Sequence, residues 1–423
     1  MTICLWREGL AWRTLATSFT LPEAADIVVV GSGLSGLFAA LELTRAGQRV
    51  VVLEAGEVAS GASSRSGGMA GPSFFKLGLK GLAGRYGNET ALRVMSESLD
   101  AFAWLKKFIE TEEIDCDFRQ NGRFRGARKP KAVAELHDHA EYVNRHFDWP
   151  VEAISRRGLV DYIGSPVYEG AILYKKDATL HPGKLAIEVA KRLIAAGGGI
   201  VVRQKALKIS QSYGGIELRT EQERIRAQSV VIATNGYSEE LFPFFRRRVI
   251  PIRSAIVATE ALSRELVAEC LRIGRAYGEA NRGVSYFRAN PEGDRILFGG
   301  RALDWRKDNP SEYAKNLERR LKTIFPRISA SAIEYSWSGR VAYTFDHIPH
   351  FGEHDGIYFV GGYCGSGMAR APYCGHRLAR RMLVGESETS VFAEMPFPSW
   401  RFYNGQPWFL GMILRWNEFL DSL

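Results

Sequence analysis

Residues 26–55, DIVVVGSGLSGLFAALELTRAGQRVVVLEA, constrain the fold more than any other stretch of the chain. Residues 27–30 are a short apolar run rich in β-branched side chains, which suits a buried parallel strand. Gly31, Gly33 and Gly36 follow it in the pattern G-x-G-x-x-G. In that pattern the first glycine permits the tight turn, the second lets the backbone approach a pyrophosphate, and the third lets helix and strand pack closely. Leu34 and Ser35 open a helix expected over 34–45, whose first N–H groups would face the phosphates. Gly47 stands where such a helix stops. A second strand is expected over 49–53. Glu54, 23 positions after Gly31 and followed by Ala55, is placed to accept hydrogen bonds from a ribose hydroxyl. This order of strand, turn, helix, strand and acid separates a dinucleotide site from a bare glycine-rich turn.

The 423 residues are enough for two or three domains, and the 46% hydrophobic content can fill a sizeable core. The five cysteines, Cys4, Cys116, Cys270, Cys364 and Cys374, form no CxxC pair and no metal spacing. They suit a reducing cytosol, and no metal is expected. A net charge of +9 raises the possibility of an anionic partner. The basic residues are scattered, apart from runs at 246–248 and 380–381, so a nucleic-acid stripe is not expected. No apolar run approaches the ~20 residues that span a bilayer. Residues 1–21 lack the apolar core and cleavage site of a signal peptide, so the expected location is cytoplasmic.

A glycine- and serine-rich stretch, GEVASGASSRSGGMAGP, follows the second strand and cannot build a core. It can wrap a ligand with N–H groups and hydroxyls. Residues 74–150 read as helical, with helices expected at 88–110 and 131–147. His137, His139 and His146 on the second of these lack companions for a metal set and read as solvated. The α/β alternation returns with a helix at 185–196 after His181 and strands at 200–202 and 230–233. A hairpin is expected around Gly214 and Gly215. Strands are expected at 252–259, 285–288 and 296–299, and a helix at 311–324. A last strand at 357–360, a glycine turn and a helix at 369–383 close the pattern. Trp6 and Trp12 are expected to pack on the body. The aromatic tail 396–423 reads as a packed arm, with a membrane-surface helix as the alternative.

Together these segments resemble the FAD-dependent amino acid and amine oxidases of the D-amino-acid oxidase (DAO) superfamily, nearest the γ-glutamylputrescine oxidase and glycine/sarcosine oxidase branch. The resemblance covers most of 25–385. GSGLSGL with Glu54 is similar to the first FAD motif of that family. GASSRSGGM resembles its loop along the pyrophosphate and flavin, which implies cofactor contacts from Ser63, Ser64, Arg65, Ser66, Gly67, Gly68 and Met69. VVIATNGY resembles the strand closing the FAD domain and implies Thr234, Asn235 and Gly236, with Ala206 in the preceding segment. WSGRVAYTFDHIP followed by GYCGSGMA is similar to the last FAD motif and implies Gly362, Gly365, Ser366, Gly367 and Met368 near the flavin ring.

The resemblance implies an α/β fold with a Rossmann-like FAD-binding domain and an α+β substrate-binding domain. The expected division is an N-terminal arm 1–21, an FAD-binding domain from 22–73, 181–240 and 336–385, a substrate-binding domain from 74–180 and 241–335, and a C-terminal arm 386–423. Val341 stands where covalently flavinylated members carry cysteine, so FAD is expected to be non-covalent. Leu297 stands where such members carry a lysine associated with oxygen activation, and Ser66 where the usual loop residue is asparagine. The implied reaction is oxidation of the C–N bond of an amino acid or secondary amine to an imine, which hydrolyses to carbonyl and amine, with oxygen as acceptor. The alternatives are a polyamine, γ-glutamylputrescine or aminophosphonate oxidase, or a dehydrogenase with another acceptor. An anionic substrate would be clamped by Arg340 first, then Arg288 or Arg301, between Tyr286 and Tyr343.

Overall fold

The computed structural model describes residues 4–12, 15, 19–72, 77–212, 214–272, 274–281, 283–301, 310–385 and 389–422. Its first sheet is the doubly wound one anticipated from residues 26–55. Parallel strands lie in the order Ile357–Gly361, Arg224–Ile232, Ala24–Val30, Val50–Leu53 and Gly199–Val201, with His350–His354 antiparallel at one edge. Both faces of the central strands are covered. Val28, Val29 and Val52 are fully buried, as near-continuous β-branched runs require. Lys208–Ser212 and Gly215–Arg219 form the expected hairpin, which extends from Arg224–Ile232.

The helix Leu34–Arg45 matches its sequence-based bounds, and Gly36 shows why that position is glycine. A Cβ there would lie 2.0 Å from the carbonyl oxygen of Gly31. The helix Gly367–Val384 crosses Leu34–Arg45 at a second close approach, where a Cβ on Gly375 would lie 2.2 Å from the Ser35 carbonyl oxygen. Both helices therefore meet the strand-turn-helix unit at backbone distance, and the last motif of the chain is held against the first.

The second sheet has eight strands in the order Ile333–Thr344, Val249–Thr259, Ile296–Arg301, Ser285–Ala289, Ala276–Glu279, Arg123–Ala127, Gly170–Tyr174 and Val151–Ser155. It is antiparallel except between Ala276–Glu279 and Arg123–Ala127. That parallel pair joins two excursions of the chain that leave the first sheet more than a hundred residues apart. Two boundaries differ from the sequence reading. Arg123–Ala127 is a buried strand inside the region 74–150 read as helical; its RFRGA pattern is too short and too polar to show a period. Ile333–Thr344 pairs with Val249–Thr259 along its length, so the second sheet continues past 335 and the chain rejoins the first sheet at His350–His354.

Both ends of the chain pack on this body. Trp6 is 1% exposed and its ring meets His181 edge-on at 4.8 Å. Trp12 is buried beneath Arg7, whose guanidinium lies 3.8 Å from its ring centre. The C-terminal arm is anchored by the Tyr403 hydroxyl, which donates to the Val249 carbonyl at 2.7 Å, and by Leu410 and Leu414 packed with Ile252. No helix among the described residues is long and apolar enough to cross a membrane.

Candidate active site

A cavity of about 650 Å³ runs between the carboxyl ends of the first sheet and one face of the second. That crevice is where ligands bind in open α/β sheets. One end is built by the glycine turn. Gly31 has φ of +104° and a Cβ there would lie 3.0 Å from the Ala233 carbonyl oxygen, so the turn requires glycine for both conformation and space. Ser63 Oγ accepts from the Leu34 N–H at 2.9 Å, which brings the serine-rich loop to the helix N-terminus. Glu54 Oε2 accepts from Ser32 N–H at 3.0 Å and from the Ser32 hydroxyl at 2.6 Å, while Oε1 accepts from Gly56 N–H at 2.8 Å. The acid thus braces the turn and lines the cavity together with Ala55 and Ala206.

At the other end three loops interlock. The Asn235 side-chain oxygen accepts from Gly362 N–H at 2.9 Å, and Asn235 itself holds φ of +44°. Ser66 Oγ lies 2.9 Å from Met368 Sδ and accepts from Gly68 N–H at 3.2 Å. The Arg65 guanidinium donates to the Ser338 carbonyl, and the Arg65 carbonyl accepts from the Trp337 indole. Thr234, Gly67, Met69, Gly365, Ser366 and Gly367 complete these walls.

Opposite them stands the second sheet. Side chains alternate across a strand, so Gly339, Val341 and Tyr343 face the cavity, as do Ile252, Ser254 and Ile256 paired beside them. Tyr286 lies against Gly67 and over Gly299, where a Cβ would be 2.2 Å from its ring, and its hydroxyl is 2.9 Å from Ser254 Oγ. Burial pushes the Tyr286 phenol up to about 12, against the opposing effect of the Ser254 hydrogen bond. Burial also raises the Tyr343 phenol, while the neighbouring Arg301 lowers it. Both rings are neutral walls at physiological pH. Burial raises the Cys364 thiol to about 11, so it faces the cavity as a thiol rather than a thiolate.

The three arginines fall in three different places. Arg301 lines the cavity, its guanidinium 5.6 Å from the Tyr343 ring centre. Arg340 is absent from the cavity wall because it alternates with Val341 and Gly339; its guanidinium lies 5.7 Å from the Tyr237 ring centre. Arg288 is 5% exposed and donates to the carbonyls of Gly68, Leu180 and Ala289, each at 2.9 Å. Burial lowers it to about 10, which leaves it charged. It clamps the loop through Gly68 to the segment preceding the helix Pro182–Ala195.

Four other expected contacts lie behind the walls. Gly36 supports the turn. Ser64 is fully buried, donates to the Ala59 carbonyl and accepts from Arg7. Gly236 packs on the Arg340 carbonyl, and Gly362 spends its N–H on Asn235. Of the wall residues that sequence reasoning did not single out, Ile252, Ser254, Arg125 and Glu279 belong to the second sheet, while others such as Gln204, Lys205, Glu239 and Phe242 come from loops beside the first. Alternation within 252–256 is the local signal that could have marked Ile252 and Ser254. Leu297 is buried in an apolar cluster with Ile256 and Trp337. His139 is half-buried and bonds the Tyr174 hydroxyl, rather than standing free in solvent, and no cluster among the described residues could hold a metal ion.

The model of a family described as FAD dependent oxidoreductase matches residues 26–381. The chain is 30% identical to γ-glutamylputrescine oxidoreductase of Escherichia coli K12 over 390 residues, covering 90% of each chain. It is 22% identical to the glycine oxidase of Bacillus licheniformis over 86% of this chain and 94% of that one. The crystal structure of glycine oxidase from Geobacillus kaustophilus superposes with a TM-score of 0.71 at 22% identity, over 90% of this chain and 99% of that one.

Proposed function

The chain belongs to the family of FAD dependent oxidoreductases acting on amines and amino acids, and from that we propose that its substrate is an N-substituted amino acid or similar amine bearing an anionic group. The observation that carries the reading is Arg301, a guanidinium on the cavity wall beside the Tyr343 ring. A guanidinium holds a carboxylate or phosphonate by two parallel hydrogen bonds, which fixes the substrate's direction as well as its charge.

The cavity suits FAD at the opposite wall. Gly31, Gly33, Gly67 and Gly68 line the cavity with bare backbone, and Glu54 stands where the adenosine ribose would bind. Leu34 to Ser35, Ser63, Arg65 to Met69 and Gly365 to Met368 are the residues proposed to hold it. Val341 lines the cavity and supplies no thiol there, in keeping with non-covalent attachment. Bound FAD supplies the two-electron acceptor: the substrate α-hydrogen leaves with its electron pair and the amine becomes an imine, which water hydrolyses to a carbonyl compound and an amine.

The protein's own part is positioning. Arg301 would fix the anionic end, and Tyr286 and Tyr343 would confine the amine and exclude water. Backbone N–H groups of Gly365, Gly367 and Met368, at the start of the helix Gly367–Val384, would stabilise negative charge accumulating in front of them, while the Ser366 N–H donates to the Tyr363 carbonyl. No general base is assigned, since the amine can enter neutral. Leu297, buried where oxygen-activating members have lysine, favours as a second reading an acceptor other than oxygen. Stopped-flow bleaching of the flavin by matched acidic and neutral amines, with peroxide assayed in parallel, is the test. Diamines that bleach the flavin as fast as acidic amines would sink the anionic reading; bleaching without peroxide would select the second.

A further inference from the structure

We infer that the C-terminal arm forms an outer compartment that binds the far end of the substrate, and that this end is an anion carried on an apolar stem; the inference rests on the acidic-amine reading above. A second cavity of about 1210 Å³ adjoins the inner one. Arg125, Ile252, Glu279, Asn281, Arg301 and Tyr343 wall both. A molecule that extends past Arg301 and Tyr343 would reach the outer compartment.

The outer walls have two chemistries. One side is apolar and comes from the arm: Trp400, Phe409, Leu410 and Ile413. This wall is fixed, because Tyr403 donates to the Val249 carbonyl, Leu410 and Leu414 are buried, and Trp400 packs 5.9 Å from the rings of both Trp408 and Phe409. The other side is basic, with Arg128, Lys129 and Lys131 at the start of the helix Pro130–His146 and Arg320 from the helix Pro310–Ile324. Among the described lining residues there are two acids, Glu135 and Glu279, the latter ion-paired to Arg128 at 2.6 Å, against six Arg and Lys residues. An apolar face opposite a cationic one selects a stem with a terminal anion and rejects a second ammonium group.

The arm lies outside residues 26–381, where the family model matches. The compartment therefore combines side chains from inside 26–381, such as Lys129, Arg320 and Tyr343, with the apolar wall of the arm. A short amine such as N-methylglycine would occupy the inner cavity alone. An N-substituted glycine with a four-carbon stem ending in carboxylate would occupy both.

The test compares flavin reduction of the holoenzyme by N-methylglycine and by N-(4-carboxybutyl)glycine. Wild type, the double variant Lys129→Glu/Lys131→Glu and Trp400→Ala are used; none of the three positions walls the inner cavity. The longer compound should show kcat/KM about tenfold higher in wild type, and added salt should narrow the gap. Charge reversal should cut its kcat/KM by about tenfold while changing N-methylglycine by no more than about twofold, and Trp400→Ala should act in the same direction. A thioether analogue, with sulfur in place of the amine nitrogen, gives a binding readout without turnover. Its quenching of tryptophan fluorescence should require about tenfold more ligand in the charge-reversed protein. Equal rates for the two compounds in wild type, or equal losses on both in the variants, would overturn the outer compartment while leaving the acidic-amine reading intact. Reduction by neither compound but by a simple diamine would overturn both.

Discussion

The Tyr363 hydroxyl lies 2.6 Å from the Ser35 hydroxyl, joining the last glycine loop to the first helix across 328 residues of sequence. Both residues are 4% exposed. Ser35→Ala or Tyr363→Phe alone strands a buried hydroxyl and should destabilise the apoprotein by roughly 1–3 kcal/mol. The double variant removes both polar groups and should recover part of that loss. Urea unfolding decides it: a double variant that loses the full sum of the two single effects would show that the pair is not coupled.

Glu54 holds Ser32 and Gly56 in the turn that the ribose and phosphates would meet. Glu54→Ala removes charge-assisted hydrogen bonds worth roughly 1.5–3 kcal/mol each, and FAD affinity should fall about tenfold or more. Titration of apoprotein with FAD measures this; an unchanged Kd in a folded variant would remove Glu54 from the cofactor site.

Val341 lines the cavity at the position where covalently flavinylated members carry a linking cysteine, and burial raises the Cys364 thiol to about 11, so it is protonated at neutral pH. Acid precipitation should therefore release all the yellow colour into the supernatant. Colour retained in the pellet would contradict non-covalent attachment and direct attention to Cys364.

The arginines separate by phenotype. Arg301→Met should raise KM for an acidic amine by roughly tenfold to a hundredfold, and Arg301→Lys should not restore it, because lysine lacks the planar fork. Arg288→Met should instead destabilise the fold by roughly 2–4 kcal/mol, since it abandons buried carbonyls of Gly68, Leu180 and Ala289. Arg340→Met should leave KM within about twofold of wild type. Steady-state kinetics beside urea midpoints for all three would reverse the assignment if Arg340→Met carried the KM effect.

His181 caps the helix Pro182–Ala195, its Nδ1 accepting from Lys184 N–H at 3.1 Å. That bond needs a neutral ring. Burial lowers the imidazole from 6.5 to about 4, with Asp117 opposing the shift. Between those values the unfolded chain binds more protons than the folded one, so this contribution is present above pH 6.5 and is lost as pH falls toward 4. It amounts to at most about 3 kcal/mol at about 1.36 kcal/mol per unit. Asp177, pushed up to about 6 by burial, contributes with the opposite sign between pH 4 and 6, so the measurement compares variant with wild type. His181→Asn, which keeps a cap acceptor, should flatten the stability slope between pH 6.5 and 4.5. An unaltered slope would exclude His181 as its source.

What the sequence by itself determined is the nucleotide half of the molecule. Strand, turn, helix and acid over 26–55 are local features, each set by residues within one turn or one strand of each other, and the helix 34–45 and Glu54 appear where periodicity and spacing put them. The glycine loops at 63–69 and 362–368 were legible for the same reason: their composition forbids a core and permits close backbone approach. The substrate half was decided by tertiary structure. Arg288, Arg301 and Arg340 are indistinguishable as residues in β-rich segments, yet pairing register sends one into the cavity, one under a loop and one between cavity-facing neighbours. A shift of one position in a strand reverses the face of every side chain, and register depends on partners far along the chain. The parallel pairing of Ala276–Glu279 with Arg123–Ala127, and the seating of the C-terminal arm on Val249 and Ile252, are long-range packing choices of that kind. They determine which cations face the substrate, and no local pattern encodes them.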